Sequence, residues 1–221
     1  EDDGEKIIGY DYNKGYEPGV SLSTDITLPV TWENWEDDIS GYILLQGKRE
    51  IVSERETALA AFRFISEHAR KNGYIRGKKV GFAAWESFLQ HLESDDFSGL
   101  ALREAEAPMV DGVTNSVEHR FFIYCDALCQ IDARKKALPY YSALAGRFPE
   151  WEEALETAIQ ALDACASYGG FLWTQGFTFD ETGFEKFRSR QARKILADEG
   201  REAMKKDMLA VEQFEKILLL G

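Results

Sequence analysis

Three histidines, three cysteines and one aromatic segment are the residues of this sequence with chemistry to offer. His119, in "NSVEHRFF", follows Glu118, lies near Asp111 and opens a long predicted helix, which makes it the most site-like of the three imidazoles. The competing reading is a surface or capping histidine. His68 and His91 fall near the exposed ends of their predicted helices, with no Cys, Ser or Asp partner at a recognisable spacing. Cys125 and Cys129 stand four apart in "FFIYCDALCQI", on one helical face, and such a pair can share a metal. No second His or Cys pair completes a tetrahedral site, and the two fall in step with Phe121 and Leu128, so core packing is expected. All three thiols, Cys165 included, should be inert to mild alkylation, because apolar helix faces do nothing to stabilise a thiolate. The segment "YGGFLWTQGFTF" supplies Tyr168, Phe171, Trp173 and Phe177, which with His119 form the candidate pocket for an apolar or sugar-like ligand. Core packing is the rival use of the same aromatics. No Walker loop, GxSxG elbow or calcium loop is present, since "GKKVGF" lacks the phosphate-loop spacing. No cofactor and no metal is expected.

The elements that must position these residues change character along the chain. Residues 5 to 12, 26 to 30 and "GYILLQG" read as short strands, with Thr31 capping a brief helix over "WENWEDD". Three short strands make a poor sheet by themselves, since edges and one face stay uncovered. After Gly47 the pattern turns helical. Ser53 caps a helix bearing Ala58, Ala61, Phe62, Ile65 and Ala69 at helical spacing. "GFAAWESFLQHLES" follows, with Phe82, Trp85, Phe88, Leu89 and Leu92 on one side. A helical region from about Thr114 to Phe148 buries Phe121, Cys125, Leu128 and Ile131, and Pro139 either kinks it or begins a new helix. "PEWEEALETAIQALDACASYGG" starts at Pro149, carries Glu152 and Glu153 at its positive end, and is expected to stop at Gly169 and Gly170. "FLWTQGFTFDETGF" reads as an aromatic loop. The last helix begins near Phe184 or Arg193 and aligns Met204, Met208, Val211, Phe214 and Leu218 in one stripe. The expected fold is therefore mainly α: a short α/β segment over 1–47, then an all-helical domain over 48–221 with five or six helices.

The totals narrow the classes of partner. Lys and Arg number 26 against 39 Asp and Glu, and a formal charge of -13 repels nucleic-acid phosphates and anionic lipid. No run reaches the roughly 20 apolar residues that span a bilayer. Three cysteines do not make a disulfide framework, so a reducing, cytoplasmic setting is expected. With 44% hydrophobic residues the chain can bury a core. It opens on Glu1 in place of Met, so the sequence is read as a piece cut from, or numbered inside, a longer protein.

Taken in order, "IIGYDYNKGY", "VTWENWED", "GYILLQGKREIVSERETALAAFRF", "GFAAWESFLQHL", "ALPYYSALAGRFPEWEEALETAIQALDA", "FLW" and "ILADEGREAMKKDMLAVEQFEKIL" resemble the C-terminal two thirds of a bacterial and archaeal family of the butirosin biosynthesis protein H type. The resemblance covers nearly the whole chain, in texture and spacing, without a catalytic motif. It implies a papain-like, or double-glycine-leader-peptidase-like, front half followed by a helical domain, with peptidase or acyltransferase chemistry on a small-molecule or peptide substrate. On that reading the strands over 1–47 complete a papain-like sheet. Its catalytic Cys stands on an upstream segment or a second chain, and a His enters the strand before "GYD". Here "EKIIGYD" carries no His, and Glu17-Pro18 stands where related peptidases have Asp-Pro. No catalytic role therefore carries over to a numbered residue.

Overall fold

The computed structural model describes residues 53–75, 78–107, 109–110 and 113–220, all within one unit, Val52–Gly221. The strands and the Thr31-capped helix expected over 1–47, and Asp111 beside His119, lie outside the described residues. Within them the protein is mainly helical. Six helices run ten residues or longer: α1 (Glu54–Arg70), α2 (Gly81–Ser94), α3 (Val117–Asp132), α4 (Leu138–Arg147), α5 (Glu152–Ala166) and, after the short α6 (Tyr168–Thr174) and α7 (Glu181–Arg188), the 31-residue α8 (Arg190–Leu220). Two antiparallel pairs of two-residue strands punctuate them. β1 (Tyr74–Ile75) with β2 (Lys78–Lys79) joins α1 to α2, and β3 (Met109–Val110) with β4 (Val113–Thr114) precedes α3.

Local chemistry sets most of these ends. Ser53 and Glu56 form a reciprocal capping box, each side chain accepting the other's backbone N–H. Ser116 caps α3 by accepting from the His119 amide, and Asp180 caps α7 by accepting from Gly183. Pro139 sits in the first turn of α4, where its missing N–H costs nothing, and a 3-10 segment over Ala133–Ala137 separates it from α3. The proline thus begins a new helix.

α8 is the spine, because its two halves face different neighbours. Leu196, Ala197 and Ala203 join a core with Leu89 of α2, Phe121 and Tyr124 of α3, and Phe184 and Phe187 of α7. Farther along, Ala210, Phe214 and Ile217 join a second core with Phe62 of α1, Leu144 of α4, Trp151 of the 3-10 turn before α5, and Leu155 of α5. Phe62 stacks on Phe214 with ring centroids 4.7 Å apart and meets the edge of Trp151 at 6.2 Å. Each such fully buried side chain contributes about 1.5–3 kcal/mol through removal from water.

Four expectations change at this level. Gly169 and Gly170 do not stop the chain; they lie inside α6, after a break at Ser167. Gly169 serves close approach, since a Cβ there would stand 2.9 Å from the Asp132 Cβ and 3.3 Å from the Leu128 carbonyl oxygen. The expected aromatic loop over 171–184 is largely helical, split between α6 and α7. On α3 the buried face runs through Tyr124, while Cys125 is half-buried and Cys129 exposed. On α8, Met204, Met208 and Leu218 are only half-buried, and the buried stripe instead includes the small residues Gly200, Ala203 and Ala210 and two charged ones, Arg193 and Asp207.

Candidate functional site

The two buried charges lead to different ends of the molecule. Arg193 donates to the carbonyl oxygens of Leu92, in the last turn of α2, and Asp95, just after it, at 3.1 and 2.6 Å, and to those of Phe187 and Arg188 at 3.4 Å, with its guanidinium 3.8 Å above the Phe97 ring. It closes two helix C-termini, whose last carbonyls otherwise lack donors, and its role is structural. Asp207 stands where a groove opens.

That groove has a volume of about 580 Å³ and is walled by α1, α2, α3, the 3-10 segment Ala133–Ala137, α4, α5 and α8. Its position follows from how α2 starts. Gly81 has φ +61°, and a Cβ on it would lie 2.3 Å from the Ala69 carbonyl oxygen, so the chain can turn tightly against the end of α1 only with glycine there. The β1–β2 hairpin covers the same connection. α1 then contributes Phe64, Ile65 and His68 to one wall, and α2 contributes Phe82, Trp85 and Phe88 to the other. Phe64 is 69% exposed at the mouth and stacks on His68 at 5.9 Å. Tyr141, Leu162, Val211 and Phe214 line the interior. Arg70, at the end of α1, ties that helix to α8 by donating through Nε and Nη2 to the two carboxylate oxygens of Glu215, each at 2.9 Å.

A short ionic cluster forms the polar part of this wall. Arg134, from the 3-10 turn after α3, donates through Nε to Asp207 Oδ1 at 2.8 Å and through Nη2 to Oδ2 at 2.6 Å. Trp85 Nε1 donates to the same Oδ2 at 3.0 Å. The Arg134 side chain is 27% exposed and that of Asp207 11%. Burial opposes the guanidinium charge, yet the hydrogen bonds and charge of Asp207 outweigh it and raise its pKa. With three donors on its two oxygens the carboxylate is a clamp that fixes Trp85 and Arg134, and both oxygens are already engaged, so it is poorly placed to act as a base.

The candidate residues of the aromatic segment lie away from this groove. Tyr168 is buried; its hydroxyl donates to the Leu196 carbonyl oxygen at 2.8 Å and meets the Tyr124 hydroxyl at 2.9 Å. Phe177 packs on Phe121 and Phe187, and half-buried Phe171 lies 6.4 Å from the Tyr168 ring, so these three join one core. Trp173 is 45% exposed and rests on Phe179, itself stacked on Phe122. His119 Nδ1 stands 2.9 Å from Glu104 Oε1 beside the Arg103–Glu118 ion pair. None of the five lines the groove.

Nucleophile chemistry finds little support among the described residues. Burial pushes the Cys165 thiol up to about 12. The Cys125 thiol also rises to about 12, through burial first and then the neighbouring Cys129 and Asp126. Cys129, expected in the core, is exposed because its helical face turns outward beyond Tyr124 and Leu128, so burial does not shield it from alkylation. No group of three or more His, Cys, Asp or Glu among the described residues is placed to hold a metal ion. No helix among them is long and apolar enough to cross a membrane.

The groove was hidden from sequence reading because its walls come from six helices and the 3-10 segment after α3. One signal was present: Asp207 falls on the same stripe as Val211 and Phe214, and a carboxylate on a buried stripe needs a partner. Comparison with protein-family models, curated proteins and solved structures gave no match.

Proposed function

We propose that the helical unit is a binding domain whose groove takes the apolar part of a small-molecule ligand. One observation supports this above the others: a cavity of about 580 Å³, lined by Phe64, Phe82, Trp85, Phe88, Tyr141 and Phe214, with a single charged cluster in its wall. Small-molecule sites have this size and this mix of apolar walls with few fixed polar groups. The aromatics cannot all be explained as core, since Phe64 remains mostly in water.

The domain's place in catalysis is to shape a substrate cleft. The resemblance to butirosin-protein-H-like proteins points to a cysteine-peptidase-like or acyltransferase-like reaction whose thiol is supplied by another segment or a second chain. Burial suppresses the Cys125 and Cys165 thiolates, and exposed Cys129 does not line the groove, which fits a nucleophile from elsewhere. The alternative is a non-catalytic ligand- or protein-binding module, which needs the same groove and no thiol.

Nile red, a neutral apolar dye, tests the groove in the full chain. Saturable one-site binding is expected, with at least tenfold loss in Ala127→Phe, which narrows the groove from the α3 wall, at an unchanged helical circular-dichroism spectrum. Loss in Trp173→Ala with Ala127→Phe unaffected would move the site to the exposed Trp173–Phe179–Phe122 cluster and overturn the assignment.

A further inference from the structure

The hydrogen-bonding capacity left in the groove selects the ligand's head group. A guanidinium has five N–H donors. Arg134 commits three of them: Nε and Nη2 to Asp207, and Nη1 to the Gln130 carbonyl oxygen at 3.2 Å. Among the described residues the other two, one on each terminal nitrogen, meet no acceptor, and the side chain lines the cavity with 27% of its surface exposed. Asp207, in contrast, already accepts from Trp85 and twice from Arg134, and only 11% of its side chain is exposed. The spare capacity of the cluster is therefore that of a donor, carried by a fixed cation. His68, Gln130 and Tyr141 also line the cavity with polar groups, and apart from these, Trp85, Arg134 and Asp207 its lining is apolar.

We infer, resting on the groove reading above, that the ligand is a small carboxylic acid: an acyl or aryl body against Phe82, Phe88 and Phe214, with its carboxylate accepting from the two spare Arg134 N–H groups. Paired donors on two adjacent nitrogens suit two carboxylate oxygens, and the aromatic walls lower the local dielectric and strengthen the contact. Asp207 is a positioning residue, since it holds the guanidinium plane without touching the ligand. A cavity of this size fits a small molecule, whereas an extended peptide needs a longer trough.

Isothermal titration of the full chain with octanoate, 1-octanol and octylammonium, each below its self-association limit, separates the possibilities. Octanoate is expected to bind roughly 10- to 100-fold more tightly than 1-octanol, the range for a hydrogen bond to a charged group. The paired variant Arg134→Met/Asp207→Leu removes both charges together, avoids stranding one of them, and should abolish that preference while octanol still binds. Equal binding of octanoate and octanol overturns the head-group assignment and leaves the groove standing. Preference for octylammonium overturns it in favour of Asp207 as the anchor. Tighter binding of the tripeptide Leu-Leu-Leu than of octanoate overturns the small-molecule commitment. If neither octanoate nor octanol binds saturably, both the head group and the groove reading fail.

Discussion

At the scale of single residues, what matters is which polar groups the core has accepted and under what terms. Asp207 and Arg193 are tolerated because every strong hydrogen-bonding direction they use is matched, by Trp85 and Arg134 in one case and by helix-terminal carbonyls in the other. Cys165 is accepted on different terms, as a neutral thiol that burial keeps protonated up to about 12 against an ordinary value of 9.0. The sign follows directly. A folded-state pKa above the unfolded one contributes stability that is fully present below pH 9 and is lost as pH rises through the folded value. Thermal melts from pH 9 towards 12 should therefore fall less steeply in Cys165→Ala than in the parent chain. Equal slopes would show that this thiol is not held protonated by the fold.

At the scale of elements, the helices are placed by close backbone approaches as much as by apolar stripes. The start of α2 touches the end of α1 through Gly81, whose positive φ and missing Cβ are both required. Gly81→Ala meets backbone oxygens of His68 and Ala69 at 2.6 and 2.3 Å and should cost more than ~2 kcal/mol, since backbone strain and overpacking add. Because that contact sets the groove mouth, the same variant should also weaken Nile red binding. Urea unfolding by circular dichroism checks the first part, and a midpoint equal to the parent's would contradict the contact. These placements were only partly legible. Capping at Ser53 and the extent of α2 follow from local signals, because a cap acts on its own turn of helix, whereas Pro139 left a kink and a new start equally open until the 3-10 segment before it decided for the new start. Gly169 and Gly170 misled, since glycine for helix termination and glycine for close packing look alike until the neighbouring helix is in place.

At the scale of the whole unit, two cores share one long helix, so neither can lose α8 alone. Leu89→Ala in the first and Leu155→Ala in the second should each cost roughly 2–5 kcal/mol. Either change should raise amide hydrogen exchange in both cores together, as one cooperative unit. Exchange that rises only around the altered residue would mean that the two cores open independently. The amino-acid sequence by itself determined that the described residues from Ser53 onward are mainly helical, that Trp85, Leu89 and Phe121 face inward, and that the formal charge is -13. Periodicity, capping and charge are properties of neighbouring residues, and neighbours are written side by side. Only the tertiary structure decided that Trp85, Arg134 and Asp207 meet, that Trp173 stays outside while Tyr168 goes in, and that a groove lies between α1 and α2. Those outcomes depend on contacts between residues as far apart as Trp85 and Asp207, 122 positions along the chain, which no local pattern specifies.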